Sequence, residues 1–350
     1  MRVNPEVSYA SVPMSTIGPI KINGEVSDEI NVPLATFESP LWPSTNRGAK
    51  ASRLSNGLNT VIISECMTRS IVIEAKSGMH AFDIISNIKK NEPEFAKVVA
   101  KTSSFARLDR IDNQVFGRVL YLRFSFYTAD ASGHNMVTKA ADALLAYCLD
   151  RYKDTKHISV SGNFCVDKKV SAVNGILGRG KNVVSDAVIP RKVCIDVLKT
   201  TPEKIAELNI KKNLMGSILA GSLRSANAHF ANMMLAFYLA TGQDAANIVE
   251  GSQGMVSAEV TETGDLYFAV TVPNIIVGAI GNGKHHDFVK HNLKILGCLN
   301  ENAGKGDNSR RLAIIMAATI WCGEISLLAA QTNYGELMNC HYEFERKETV

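Results

Sequence analysis

The chain has 350 residues, of which 46% are apolar and 21% charged, with a formal net charge of +4; this describes a soluble globular protein with material for one large core or two modest ones. The mild positive balance suits an anionic small molecule, and no basic stripe of the kind a nucleic-acid binder carries is visible. Seven scattered cysteines (Cys66, Cys148, Cys165, Cys194, Cys298, Cys322, Cys340), with no Cys-x-x-Cys, argue for free thiols in a reducing cytosol and against a disulfide framework or a zinc site.

In chain order, residues 1–11 lack the apolar core of a signal peptide. The segment up to residue 70 is rich in Pro, Gly and Ser, with short extended pieces at 20–22 and 59–63. A strand at 71–74 then leads to an amphipathic helix over 81–102, a strand pair at 106–112 and 119–127, a second helix at 135–150 and a last strand at 158–160. That β-α-β-β-α-β order is the ferredoxin-like split arrangement. After Ser161 the chain turns helix-rich. Residues 213–240 read as one helix of roughly 40 Å, with small residues (Gly216, Ala220, Gly221, Ser225) for close packing. Residues 312–330 approach the length of a membrane span, but Gly323 and Glu324 interrupt them, and Arg224, Asn227, His229 and Asn232 interrupt 213–240. Both read as core helices. By periodicity alone the class is α+β.

Residues 161–169, Ser-Gly-Asn-Phe-Cys-Val-Asp-Lys-Lys, set one acid against two adjacent bases after a strand. Paired ammonium groups suit a place where negative charge must be held, such as a carboxylate or a developing oxyanion. A solvated turn explains the tripeptide Asp167-Lys168-Lys169 equally well in isolation. Gly175-x-x-x-x-Gly180-Lys181 fits a phosphate-binding loop until Asn182 replaces the required Ser or Thr, and no strand precedes it, so an ATPase is set aside. His285, His286 and His291 lack a completing acid, and no metal is expected.

Around that stretch lie PLATFESPLWPSTNRGAK (33–50), ECMTRS (65–70), NIKKNLMGSILAGSLRSANAHFAN (209–232), TGQDAA (241–246) and Cys340-His341. In this order and at these distances they resemble the 3-hydroxy-3-methylglutaryl-CoA (HMG-CoA) reductase family, from about Val12 to the last few residues. The resemblance implies a large domain (1–70 and 161–350) around a central helix, with a small NAD(P)-binding domain (71–160) inserted. It implies two hydride reductions of HMG-CoA to mevalonate with release of coenzyme A, in a cytoplasmic form without the membrane region of anchored relatives. It also implies a homodimer, or a further tetramer, with the site shared between subunits and with neither nucleic acid nor membrane as partner.

Residue by residue, Lys168 matches the family's catalytic lysine and His341 its C-terminal histidine, which protonates the CoA thiolate. Glu38 matches the glutamate that protonates the aldehyde oxygen, and its flanks (Phe37, Pro40, Leu41, Trp42) are apolar. Asp244 matches the aspartate that couples Lys168 with Glu38, a helix cap being its competing role. Arg69, Ser161, Asp167, Lys169 and Lys212 stand at positions that grip the substrate carboxylate, and Asn232 at the substrate-carbonyl contact. His229, three residues earlier, is either part of that face or a buried structural histidine. For the cofactor, Asp130, Ser132, His134 and Asn135 occupy the nicotinamide-nucleotide loop, and Gly281 and Gly283 the second glycine-rich loop.

Several positions depart from the family. Asn282 and Lys284 replace a glycine and a small polar residue in the second loop, and Ser132-Gly133-His134 replaces Met-Gly-Met. Ser103-Ser104-Phe105 lacks the arginine that holds the 2′-phosphate of NADPH, so Arg107, Arg346 or Lys347 would have to compensate; NADPH is favoured, with NADH the alternative. ESPLWPS (38–44) puts Pro40, Trp42 and Pro43 beside Glu38, which either narrows the acyl pocket or is a neutral feature of the lineage. Residues 4–9 keep little of the family's dimer motif, and the tail after Arg346 lacks the regulatory serine. The competing readings are a non-catalytic acyl-CoA-binding relative and a reductase of a different acyl-CoA.

Overall fold

The computed structural model describes residues 8–345. Nine strands form two sheets that share one strand. The large sheet runs β2-β1-β3-β7-β9-β8, from β1 (Met14–Gly24), β2 (Asp28–Ala35), β3 (Leu58–Glu74), β7 (Gly180–Ile189), β8 (Met255–Val260) and β9 (Leu266–Ile275). Its neighbours are antiparallel except β1 and β3, which pair in parallel over three residues, Ile22–Gly24 against Leu58–Thr60. The second sheet has the order β6-β3-β5-β4, all antiparallel, with β4 (Arg107–Phe116), β5 (Val119–Tyr127) and β6 (Lys156–Ser159).

The pieces expected at 59–63 and 71–74 are thus one 17-residue strand. Leu58–Cys66 serve the large sheet and Met67–Glu74 the small one. The edge strand β4 carries Arg107, Asp109, Arg110 and Asp112, the charges that keep a sheet edge from pairing with another chain. Helices Gly78–Lys90, Glu92–Ala100 and His134–Arg151 cover the small sheet. The first two were expected as one helix over 81–102. Pro93, within the first two positions of the second helix, has no N–H to continue the ladder, and Asn91 ends one helix and begins the next. Each sheet has its own apolar core, one centred on Phe237, Phe268, Trp321 and Ile325, the other on Ile71, Phe95, Phe124 and Leu144.

The helix expected over 213–240 does not exist as one piece. A π-helical segment (Asn209–Gly216) and one turn (Ser217–Leu219) end at a loop in which Gly221 and Arg224 take left-handed φ of 69° and 51°, and a new helix starts at Phe230–Ala240. The cause lies far away in sequence. The carboxylate of buried Glu324 accepts the backbone N–H groups of Ala228 (2.9 Å) and His229 (2.7 Å), capping the new helix with negative charge. The central helix is Asp307–Gln331, apolar on nearly every face. It is the one described helix long and apolar enough to cross a membrane, and 94% of its most apolar window is buried inside the fold.

Candidate active site

The loop 161–171 after β6 carries three non-glycine residues in the left-handed region: Asn163 (φ 56°), Val166 (45°) and Lys168 (54°). Such backbone is costly, most of all for a β-branched residue, and persists only where the surroundings hold it. Here Ser70 Oγ accepts from Cys165 N at 3.1 Å, Asn174 Nδ2 donates to Val166 O at 2.8 Å, and Lys168 N donates to Glu250 Oε1 at 3.1 Å. The fully buried guanidinium of Arg179 fixes the loop from below: Nε reaches Glu250 Oε1 at 3.3 Å, Nη1 reaches Thr68 O at 2.9 Å, and Nη2 pairs with Asp167 Oδ1. Glu250 is equally buried, so each charge depends on the other.

So held, Lys168 presents Nζ to Asp244 Oδ2 at 2.5 Å. The other oxygen of Asp244 accepts Ala246 N at 3.1 Å, so the residue is both a cap and the lysine's partner. Burial works to raise the Asp244 carboxyl, but the hydrogen bonds from Lys168 and Ala246 and the charge of Lys168 outweigh it and hold the group below the usual carboxylate range. The pair lines a cleft of about 510 Å³ with Arg69, Asp167, 131–136, Gly281, Asn282 and Lys284. Arg69 lies 3.6 Å from Asp167 and donates to Ser161 Oγ at 3.3 Å. His134 stands 3.7 Å from Asp167; burial, then the Arg179 charge, push it down to about 4, so its imidazole is neutral.

A second cavity, of about 210 Å³, holds Glu38, His229 and His341. Glu38 Oε2 accepts from Asn232 Nδ2 at 2.6 Å. Its apolar wall is Pro40, Leu41, Pro43, Leu327 and Leu337. Phe37, expected there, is exposed, and Trp42 packs against the large core with its indole N–H on Leu34 O at 2.9 Å. His341 comes from the C-terminal helix Glu336–Glu345, tied to the helix Leu41–Leu54 by Arg47 and Glu336 at 2.6 Å. His229 has a structural partner, Nδ1 binding buried Glu324 at 2.7 Å, and it also lines the cavity. Lys212 bonds to Asn213 Oδ1 at 3.1 Å; burial lowers its ammonium, opposed by the nearby charge of Glu324.

The expected site residues therefore fall into two groups within one chain. Lys168, Asp244, Arg69, Ser161 and Asp167 are in one, and Glu38, Asn232 and His341 in the other. Lys169 is exposed, with Nζ on Asp167 O at 3.0 Å. Asp130 does not face the cleft: its carboxylate accepts Gly306 N (3.0 Å) and Ser309 N (2.9 Å), capping the central helix. Gly283 is required by packing, because a Cβ there would meet Gly242 O at 2.5 Å. Ser132 and Asn135 do line the cleft. The 103–105 loop stands apart from it, with Phe105 exposed, Lys305 Nζ 5.4 Å over the Phe105 ring and Arg107 4.6 Å over Tyr127. Arg346 and Lys347, the tail beyond them and most of 4–9 lie outside the described residues.

Arg179, Glu250, Glu324 and Lys305 were not singled out from sequence as functional; only Arg179 sat inside a conspicuous string, the Gly-rich run 175–181. Among the described residues no group of three His, Cys, Asp or Glu side chains is placed to hold a metal ion.

A family model for hydroxymethylglutaryl-coenzyme A reductase matches residues 4–346. A 3-hydroxy-3-methylglutaryl-coenzyme A reductase of Pyrococcus abyssi is 43% identical over 326 residues, 93% of this chain and 80% of that protein. One from Aeropyrum pernix is 42% identical over 337 residues, 96% of this chain and 79% of that protein. Among solved structures, the class II reductase of Streptococcus pneumoniae bound to NADPH in open conformations has a similar fold, with a TM-score of 0.75 at 17% identity over 95% of this chain and 88% of that one.

Proposed function

The chain belongs to the hydroxymethylglutaryl-coenzyme A reductase family, and from that premise we propose that it reduces HMG-CoA to mevalonate with release of coenzyme A, using NADPH. The observation that carries the reading is the Lys168–Asp244 pair at 2.5 Å on a strained, fully anchored loop. A fixed cation is what a thioester carbonyl needs as it becomes a tetrahedral oxyanion.

When bound, the nicotinamide supplies a hydride at each of the two reduction stages. Lys168 holds the first oxyanion, and Asp244 keeps its Nζ aimed. As the C–S bond breaks, His341 gives the thiolate a proton. Glu38, oriented by Asn232, then protonates the aldehyde oxygen as the aldehyde carbon takes up the second hydride. Arg69 and Ser161, 3.3 Å apart, offer a fork and a hydroxyl to the free carboxylate of the substrate.

Neither cavity holds all four catalytic groups, and we read the working site as assembled from two chains in a homodimer. Support comes from the exposed apolar row Ile210, Leu214, Met215, Ile218 and Leu219 beside the loop that follows them. Residues 71–160 read as an inserted ferredoxin-like cofactor domain. The order β6-β3-β5-β4 supports that, being fourth-first-third-second in a β-α-β-β-α-β unit. The cleft fits a dinucleotide: His134 Nε2 and Arg69 Nε are buried without a hydrogen bond, and a Cβ at Gly281 would meet nothing within 4 Å. Arg107 and Lys305, beside the 103–105 loop, are the cations that would stand in for the missing arginine.

The test is loss of reduced-nicotinamide absorbance with purified protein and HMG-CoA, run in parallel with NADPH and NADH. Turnover with NADPH at the greater kcat/KM is expected; turnover on glutaryl-CoA or acetoacetyl-CoA alone would transfer the activity to another acyl group, and silence throughout would leave a binding protein. Sedimentation should show a dimer, and a fully active monomer would defeat the shared site.

A further inference from the structure

Lys284 lies in the cleft of Lys168, beside Gly281 and Asn282. Its Nζ donates to one neutral acceptor, Gly242 O at 2.5 Å, and among the described residues no carboxylate pairs with it. Two of its three N–H groups are thus uncommitted. The ammonium is half-buried, and that burial, with no opposing charge, pushes it down to about 8. Beside it Gly281 takes a left-handed φ of 103° and is exposed, with nothing within 4 Å of where a Cβ would stand, so bare backbone faces the opening. A desolvated cation without a counter-ion, next to glycine backbone in a cleft of about 510 Å³, is an arrangement completed by a bound anion.

We propose that Lys284 binds the diphosphate of the nicotinamide dinucleotide at the loop 278–284, so that this chain holds its cofactor through a side-chain charge at that loop. The inference rests on the reductase reading of the cleft. It has a consequence that backbone amides alone would not produce. A lysine that titrates near pH 8 gains affinity for its proton when phosphate arrives, so cofactor binding takes up protons at alkaline pH and weakens as the pH rises. The other charged groups lining the cleft are Arg69, Asp167, Lys168 and Asp244, with His134 neutral and His285 next along the chain.

The experiment is calorimetric titration of the intact protein with NADPH, NADH and free CoA, at about pH 7 and about pH 8.5, in buffers of different ionisation heat. For the unaltered protein, uptake of a fraction of a proton is expected at the higher pH only. Lys284→Met should weaken NADPH and NADH alike, roughly tenfold or more. Lys284→Arg, which keeps the charge but does not titrate, should restore affinity and abolish the uptake. Undiminished uptake in Lys284→Arg, undiminished binding in Lys284→Met, or a loss confined to NADPH or to CoA would each overturn the assignment. A native protein that bound no dinucleotide would overturn the reductase reading instead.

Discussion

The two cavities are built on opposite principles. Beneath and beside Lys168 the charges are paired, Arg179 with Glu250 and Asp167 and Lys168 with Asp244, on a backbone bent into the left-handed region. Around Glu38 the walls are proline and leucine, and the carboxylate meets the neutral amide of Asn232. The difference suits the tasks proposed for the two groups. Holding an oxyanion calls for a permanent, aimed charge, and aiming it requires a rigid frame of counter-charges. Passing a proton calls for a group that is not locked into an ion pair, in surroundings that exclude water.

The comparison can be broken at either end. Lys168→Ala should cost about 10³-fold in kcat or more, with little change in the melting temperature, because the lysine is used by the reaction more than by the fold; a loss below tenfold would remove it from the oxyanion. Arg179→Met, one layer beneath, should do the reverse first: stranding buried Glu250 should cost on the order of 3–5 kcal/mol in urea denaturation, with activity falling as the loop loosens. Glu38→Gln should lower kcat by about 10²-fold or more through the aldehyde stage; equal turnover of free mevaldehyde by mutant and native protein would contradict this. The smallest effect is a slope. Burial, then the Arg179 charge, push folded His134 down to about 4 from its ordinary 6.5, so the unfolded chain holds more protons between those limits, and stability falls as pH drops through that window. His134→Gln should flatten stability against pH between about 6.5 and 4, and an unchanged slope would show that another group carries it.

Local pattern and family motif together gave the alternation of strands and helices from 71 to 160, the buried helix at 312–330 and nearly every candidate side chain. They failed where a distant partner decides. Nothing within 213–240 announces that Glu324 will cap a helix at Phe230, and nothing beside Asp130 announces that its carboxylate belongs to Gly306 and Ser309. Trp42 looked like a wall of the acyl pocket because it is bulky and two residues from Pro40, yet at the start of the helix Leu41–Leu54 it turns to pack against the large core. Arg179 sat inside a glycine-rich string that resembled a nucleotide loop. The glycines serve packing, since a Cβ at Gly180 would meet Ile275 O at 2.5 Å, and the arginine serves the loop that carries Lys168.

The strand β3 belongs to two sheets at once, and its backbone amides connect two separate apolar cores. Neither core can melt without stripping hydrogen bonds from a strand that the other still holds. The heat absorbed on unfolding should therefore appear as a single calorimetric peak whose van't Hoff enthalpy equals the measured one, and two resolved peaks would mean that the strand can part between Cys66 and Met67.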